Sequence, residues 1–458
     1  MNDTIAAIAT PLGRGAIGVV RMSGPQALKA LAKVWKKGGQ PVEKFVTHRL
    51  YLGKILDLST GKPVDQVLAS LMKNPNSYTG EDVIEISCHG GAQVLQQILV
   101  QLLEAGARPA EPGEFTKRAF LNGKMDLTQA EAVAELIDSK SNISARLAEE
   151  QLDGKLSTII VDLGERLKKL LAFVEATIDF PEEDTEFIRD SDVGRGLVSI
   201  SDDLDRLIKS YNQGRVYREG VKTVIAGPPN AGKSSLLNAL LGIERAIVHH
   251  SPGTTRDTIE EGIVLGGVSF RLIDTAGIRE AEAEVEEIGV EKSRRELTSA
   301  EVVLLVLDGH NFIPPEERFI EELKNVEHVV VVINKKDLGI SVVHEELANL
   351  FGTRSIFEIS AKDGGGIEEL CDSLVQEVVG ERSSEDESVV ITSGRHFKLL
   401  KKCMDNLGGA SKAISKRESS EFIAHYLRQG LDSLGQITGE ITTDDILNEI
   451  FSTFCIGK

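Results

Sequence analysis

The stretch Gly227-Pro-Pro-Asn-Ala-Gly-Lys-Ser234 limits what this chain can fold into more than any other part of it. It leaves an apolar run, Val221-Lys-Thr-Val-Ile-Ala226, and enters Ser235-Leu-Leu-Asn-Ala-Leu-Leu241. Strand, glycine-rich loop and helix thus follow in the context that gives a G-x-x-x-x-G-K-[ST] pattern its meaning. Gly227 and Gly232 let the backbone curl so that successive N–H groups, across Asn230, Ala231, Gly232, Lys233, Ser234 and Ser235, face an anion at a helix N-terminus. Lys233 can reach β- and γ-phosphates, and the Ser234 hydroxyl is placed to bind Mg²⁺.

Four more stretches follow in the order a GTPase requires. Gly253-Thr-Thr-Arg-Asp257 lies where a switch loop would bring Thr255 onto Mg²⁺ and the γ-phosphate. Asp274-Thr275-Ala276-Gly277 ends an apolar strand, with a carboxylate suited to a Mg²⁺-bound water and a Gly277 N–H suited to the γ-phosphate. Asn334-Lys335-Lys336-Asp337 ends another. The Asp337 carboxylate can accept from guanine's ring N–H and exocyclic amine together, a donor pair that adenine lacks. Ser360-Ala361-Lys362 fits a backbone contact to the guanine oxygen. These residues read jointly as a GTP-binding domain. Ile278 follows Gly277, where Ras-like enzymes carry the glutamine that orients attacking water. Another group must place the water, and candidates lie in the acidic run Glu280–Glu287.

The 458 residues leave room for two to four domains, and 41% hydrophobic with 27% charged residues is an ordinary globular composition. The sequence shows neither an apolar run of about 18 residues nor a basic-then-apolar leader, which reads as a cytoplasmic chain without membrane association. The formal charge of -19 argues against a non-specific coat for nucleic acid but leaves room for RNA on a local basic face. Cys88, Cys371, Cys403 and Cys455 lie far apart without metal-ligand spacing and read as free thiols.

The fold expected is multidomain, α+β and α/β. Residues 1–119 alternate short apolar strands with glycine turns and two amphipathic helices, and bunch polar residues at segment ends, among them Arg21-Met-Ser-Gly24, Ser77–Asp82 and Pro112–Arg118. A pocket lined by these ends and a set of solvated turns are both open. Residues 120–216 switch to helical period, with Ala145–Ala176 read as one long helix and Leu197–Tyr211 as another. Residues 217–381 alternate strand and helix around the phosphate loop and predict a doubly wound sheet, with Gly266-Gly267 turning a hairpin. Helical period returns over 382–458, so a discontinuous helical domain carries the P-loop GTPase domain as an insert. Arg395–Arg417 holds seven Lys/Arg and one acid, Asp405, which is either a solvated helix face or a surface for phosphate.

With those residues in place, the chain resembles the MnmE (TrmE) tRNA-modification GTPase family over essentially its full length. The N-terminal Pro-x-Gly-Arg-Gly, Arg-x-Ser-Gly, Ser-Tyr-Thr-Gly-Glu-Asp and Pro-Gly-Glu-Phe-x-x-Arg-Ala-Phe stretches are similar to that family's tetrahydrofolate-binding domain, and the final Phe-Cys-Ile-Gly-Lys458 to its C-terminal signature. The resemblance implies a homodimer joined through the N-terminal domain and an FAD-dependent partner of the MnmG (GidA) type. Together they would add aminomethyl or carboxymethylaminomethyl groups to C5 of the wobble uridine of certain tRNAs. The one-carbon unit would come from a tetrahydrofolate derivative, in 5-formyl or 5,10-methylene form, with FAD on the partner. Arg21, Glu81, Lys124 and Lys458 would line the folate site, with Cys455 a candidate nucleophile or an inert thiol. The resemblance further implies Glu286 as the group that orients water, with Asp274 and Lys233 also in the catalytic set. It implies K⁺ at Asn230 and at His249, Ser251 and Thr254, within a nucleotide-binding loop of His249, His250, Ser251, Pro252, Gly253 and Thr254. A GTP-dependent ribosome-assembly switch, with no covalent product on RNA, shares the GTPase motifs and is the competing expectation.

Overall fold

A computed structural model of the chain describes residues 3–37, 42–179, 192–243, 260–274, 296–341, 344–352, 354–380 and 389–458. Two compact units emerge: Met1–Ile137, Glu150–Ala172 and Arg428–Lys458 form one, and Asp138–Glu149 with Phe173–Leu427 the other. Residues 180–184, which read from the sequence as an acidic loop, and 383–388, which read as a linker, lie outside the described residues.

The first unit holds a seven-stranded sheet of order β3-β4-β5-β6-β2-β1-β7. Its strands are β1 (Ile5–Ile8), β2 (Ile17–Ser23), β3 (Trp35–Lys37), β4 (Leu50–Leu56), β5 (Pro63–Met72), β6 (Val83–His89) and β7 (Arg108–Pro109). Period-two alternation assigns the faces. Val20 and Met22 join Ile84, Ile86 and the apolar sides of α1 (Ala27–Val34) and α2 (Ala92–Glu104) in one core. Ile5 and Ala7 pack the other way, with Ala110, Phe115 and Tyr78. Arg21 alternates with Val20 and Met22 and pairs with Glu85 across β6. The first of the two amphipathic helices, which the sequence pattern extends over 25–35, stops at Val34, because the β-preferring Trp35 begins strand β3 beside β4.

Pro112–Arg118, read from sequence as a polar segment end, begins a further helix, α3 (Glu114–Leu121). Its neighbours α4 (Leu127–Asp138) and α14 (Asp444–Ser452) supply Leu127, Ala130, Val133, Leu447 and Phe451 to a second cluster, closed by Phe454. The single helix expected over 145–176 is two, α5 (Asn142–Leu152) and α6 (Lys155–Asp179). Gly154 lies between them with φ +84, the left-handed cap that ends a helix. Conversely α7 (Asp192–Glu219) runs past Tyr211 through Gly214, where a Cβ would lie 2.2 Å from the Ile391 carbonyl oxygen. Gly214 weakens the helix locally but admits that close approach.

The second unit contains a six-stranded sheet of order β13-β12-β11-β8-β10-β9. Five strands are parallel: β8 (Val221–Ala226), β10 (Val268–Asp274), β11 (Val302–Asp308), β12 (His328–Asn334) and β13 (Ile356–Glu358). The edge strand β9 (Glu260–Leu265) is antiparallel to β10 through a tight turn with φ +54 at Gly266 and +85 at Gly267. Val302, Leu304 and Val306 enter one core and Val303, Leu305 and Leu307 the opposite one. Both faces are covered, which is why β11 and β12 read as near-continuous apolar runs. Helices α8 (Lys233–Leu241), α9 (Glu317–Glu322) and α10 (His344–Phe351) fall between strands, and α11 (Ile367–Val379), α12 (Gly394–Lys416) and α13 (Ser420–Thr438) follow the last strand.

The first unit is tied by a buried charge network. The Arg118 side chain is 1% exposed and forms ion pairs with Asp3, Glu81 and Glu114 at 2.8–3.0 Å, while Arg108 also pairs with Asp3 and Glu114. Burial works to raise the Glu114 carboxyl, but hydrogen bonds from Arg108, the Glu111 N–H and Arg118 outweigh it and hold the group below its ordinary 4.5. Asp3 is held low in the same way, burial being outweighed by Arg108 and Arg118. A depressed carboxylate stabilises the fold fully above its unfolded pKa and loses that contribution as pH falls through the folded value. Acid titration followed by emission of the single tryptophan, Trp35, is therefore expected to show stability falling below about pH 4.5. Glu114→Gln should flatten that limb, and Arg118→Met should cost about 3–5 kcal/mol at neutral pH, because it strands buried carboxylates. An acid limb identical in wild type and Glu114→Gln would refute this account.

Candidate functional site

The phosphate loop leaves the carboxyl end of β8, which lies between β10 and β11, the switch point of the sheet. Gly227 (φ +147) passes so close to β11 that a Cβ would lie 2.1 Å from the Val306 carbonyl oxygen. Asn230 (φ +61) and Gly232 (φ +95) take left-handed conformations that curl the loop into helix α8. Lys233 is buried and folds back, its Nζ donating to the carbonyls of Gly227 (3.1 Å) and Pro228 (2.9 Å). Ser234 Oγ donates to Asp274 Oδ2 at 2.9 Å, which brings together two hard oxygen groups of the kind Mg²⁺ takes. Loop amides, a helix N-terminus and this pair suit a polyphosphate with its cation.

Asn334 joins that loop to the Ser360–Lys362 stretch. Its Nδ2 donates to the Ala231 carbonyl (3.0 Å) and its Oδ1 accepts from Ala361 N–H (3.0 Å). A Cβ on Gly232 would stand 2.2 Å from that same Nδ2, so the loop requires glycine there. Ser360 Oγ donates to Asp337 Oδ1 at 3.0 Å and accepts from Asp363 N–H, orienting the carboxylate. Lys335, at φ +68, turns between them and pairs with Asp308 at 2.6 Å. Burial raises the Asp308 carboxyl, but the Asn311 N–H, Lys335 and the His310 N–H together hold it below its ordinary value. Sequence reading missed Asp308, although an apolar strand ending in aspartate is a visible signal. Ser235 and Lys362 are exposed beside these groups. His249, His250, Ser251, Pro252, Gly253, Thr254, Thr255, Thr275, Ala276, Gly277 and Glu286 lie outside the described residues.

A second constellation lies in the first unit. The chain end pairs with the segment before α3 through an isolated bridge between Ile456 and Pro112, and Phe115 N–H donates to the Lys458 carbonyl oxygen (3.1 Å). Gly457 (φ +99) passes where a Cβ would be 2.3 Å from the Ile8 oxygen. Arg21 donates to the Gly457 carbonyl (3.3 Å) and to Glu85, and its guanidinium lies 5.5 Å from the Tyr78 ring centroid and 5.7 Å from that of Phe115. Glu81 accepts from Ser23 Oγ at 2.8 Å and from Arg118, another participant that the sequence reading did not single out. Lys124 Nζ donates to the Pro75 carbonyl (3.0 Å) beside the Gly80 turn. Cys455 is exposed, whereas Cys88, Cys371 and Cys403 are buried and their thiols pushed up to about 11, about 12 and about 12 by burial. The cations Arg21 and Lys458, the oriented Glu81 and two aromatic rings form a donor and acceptor set suited to an anionic heteroaromatic molecule.

The doubly wound sheet, its phosphate loop and the Asn334–Ala361 connection define a P-loop protein of the GTPase class. Residues 4–124 match the family model for the GTP-binding protein TrmE N-terminus, and residues 127–455 match that for the MnmE helical domain. The chain is 45% identical to the tRNA modification GTPase MnmE of Carboxydothermus hydrogenoformans, over 100% of both chains. It is 46% identical to that of Syntrophotalea carbinolica, over 100% of this chain and 99% of the relative, and 45% to that of Moorella thermoacetica, over 100% of both. The chain belongs to the MnmE family of tRNA modification GTPases. Among its described residues no helix is long and apolar enough to cross a membrane.

Burial, and then the neighbouring Arg21, lower the Lys458 ammonium from its ordinary 10.5. Selective labelling of Lys458 and NMR titration should show it deprotonating below a free lysine, and Arg21→Gln should move it back up. A Lys458 titration that does not respond to Arg21→Gln would show that the chain end is not seated against Arg21.

Proposed function

We propose that the chain is a Mg²⁺-dependent GTP hydrolase that modifies tRNA. With an FAD-dependent protein of the MnmG (GidA) type, it adds aminomethyl or carboxymethylaminomethyl groups to C5 of the wobble uridine of certain tRNAs. The observation that supports this reading most is a full-length family match on a chain that holds two separate polar constellations. One suits a guanine nucleotide and the other an anionic heteroaromatic cofactor. In the first, Asp337 accepts from the base and Ala361 lies beside the guanine oxygen, the loop amides and Lys233 hold the phosphates, and Ser234, Thr255 and Asp274 serve Mg²⁺. In the second, Arg21, Lys124 and Lys458 hold the carboxylates of a tetrahydrofolate derivative and Glu81 accepts from its ring N–H groups. The folate supplies the one-carbon unit when bound.

With isoleucine after the Asp274-Thr-Ala-Gly277 stretch, water placement passes to Glu286. Charge on the phosphates is offset by K⁺ held at Asn230 and by carbonyls of residues 249–254. A cation in that position does what an arginine finger does elsewhere, worth about 10³–10⁵ in rate. The protein works as a homodimer, in the cytoplasm.

Nucleoside mass spectrometry of bulk tRNA from cells lacking the protein tests the reading directly. C5-aminomethyl-type uridines should disappear, and the wild-type chain but not Asp274→Ala should restore them. An unchanged profile accompanied by defective ribosomal particles would replace this reading with that of an assembly switch. Turnover of GTP should be faster in KCl than in NaCl at matched ionic strength, and equal rates would remove K⁺ from the mechanism.

A further inference from the structure

Helix α12 buries His396, Leu400, Cys403, Leu407, Ala410 and Ala413 on one side. Its other side exposes Lys398, Lys401, Lys402, Lys412 and Lys416, with Arg417 just beyond and Asp405 the one acid on the helix. This is at odds with a chain whose formal charge is -19. Other helices match their cations to acids one turn away, as in Arg166–Asp162, Lys168–Glu165, Arg206–Asp203 and Lys209–Asp205. On α12, Lys398, Lys402, Lys412 and Lys416 make no ion pair among the described residues. Lys398 and Lys402 are also four residues apart, as are Lys412 and Lys416, so like charges face each other one turn apart and work against the helix. Gly408 adds to that cost, since a mid-helix glycine is unfavourable and a Cβ there would meet nothing within 4 Å. Local stability explains none of these choices.

The composition of the face indicates what would meet it. No large apolar side chain is exposed anywhere on α12. A stable protein interface needs an apolar or aromatic centre within its polar rim. Here the helix exposes Asp405, Gly408 and Ser411 between the two lysine pairs, with Ser415 further along. Lysines, serine hydroxyls and accessible backbone are the groups that contact phosphate and sugar. At a rise of about 1.5 Å per residue, the stripe from Lys398 to Lys416 runs about 27 Å, enough to follow several phosphates.

We propose that the exposed face of α12 docks the phosphate backbone of tRNA, an inference that rests on the tRNA-modification reading above. The lysines act as distributed point charges that neutralise phosphates and release counterions, while sequence and shape are read elsewhere.

The test titrates fluorescently labelled bulk tRNA with the full-length chain, by anisotropy, from about 50 to 200 mM KCl. The combined variant Lys398→Gln, Lys402→Gln, Lys412→Gln, Lys416→Gln should bind at least about tenfold more weakly at low salt, with the slope of log K against log salt reduced by about 3. Its GTP turnover without tRNA should be unchanged, which shows that the fold survives. Asp405→Asn should tighten binding, a gain that damage to the fold cannot produce. Equal affinity and slope for the wild type and the combined variant overturn the proposal and leave the tRNA reading intact. A wild-type chain with no salt-dependent tRNA binding overturns both. Unchanged tRNA binding with loss of the flavoprotein partner overturns it in favour of protein docking.

Discussion

Burial of the six-stranded sheet on both faces is the constraint from which the nucleotide site follows. Parallel strands packed on two sides are mostly apolar along their length and gather polar side chains towards their ends. Strands β10, β11 and β12 end on Asp274, Asp308 and Asn334, and all three run in the same direction as β8. One edge of the sheet therefore gathers two carboxylates and an amide beside the loop that leaves β8. Asp308 and Asn334 are direct partners in the register of β11 and β12. The apolar interior and the polar edge are one pattern seen from two sides.

Close backbone contacts then set the geometry along that edge. Gly227 against Val306 brings the phosphate loop down onto the sheet, and Gly232 against Asn334 brings it against the end of β12. The Asn334 amide uses both ends, one on Ala231 and the other on Ala361. A substitution at Asn334 would thus disturb the phosphate loop and the Ala361 segment together.

The first unit reaches its polar site by a different route. Its sheet covers one face with α1 and α2, so the alternate residues Arg21 and Ile5 face α3 and the chain end instead. Buried Arg118 draws Asp3, Glu81 and Glu114 together from three separate segments and is largely satisfied by them. Such a network contributes less net stability than its contacts suggest, because desolvation offsets much of the attraction. Removing one member is costly all the same, and the arrangement fixes where the Glu81 carboxylate lies.

Much of the nucleotide site was legible in the chain because its elements are local: a strand, a loop that needs glycine, a helix start, and strands that end in Asp or Asn. The helix boundaries were less legible where one glycine ended a helix and another did not. Gly154 stops α5 because its backbone turns left-handed, while Gly214 continues α7 because a neighbouring carbonyl fills the space a side chain would take. Composition cannot distinguish these cases, since the difference lies in residues distant in sequence. Helix α3 was missed for a similar reason: its buried Glu114, Thr116 and Arg118 look solvated until their partners are known. The sequence by itself determined the alternation of elements, the phosphate loop and the residue types at the strand ends, because these depend on spacing and local backbone chemistry. Only the tertiary structure decided that Arg118 is buried, that the Gly457 carbonyl meets Arg21 and that Lys398, Lys402, Lys412 and Lys416 make no ion pair among the described residues, because each depends on contacts between segments that are far apart in the chain.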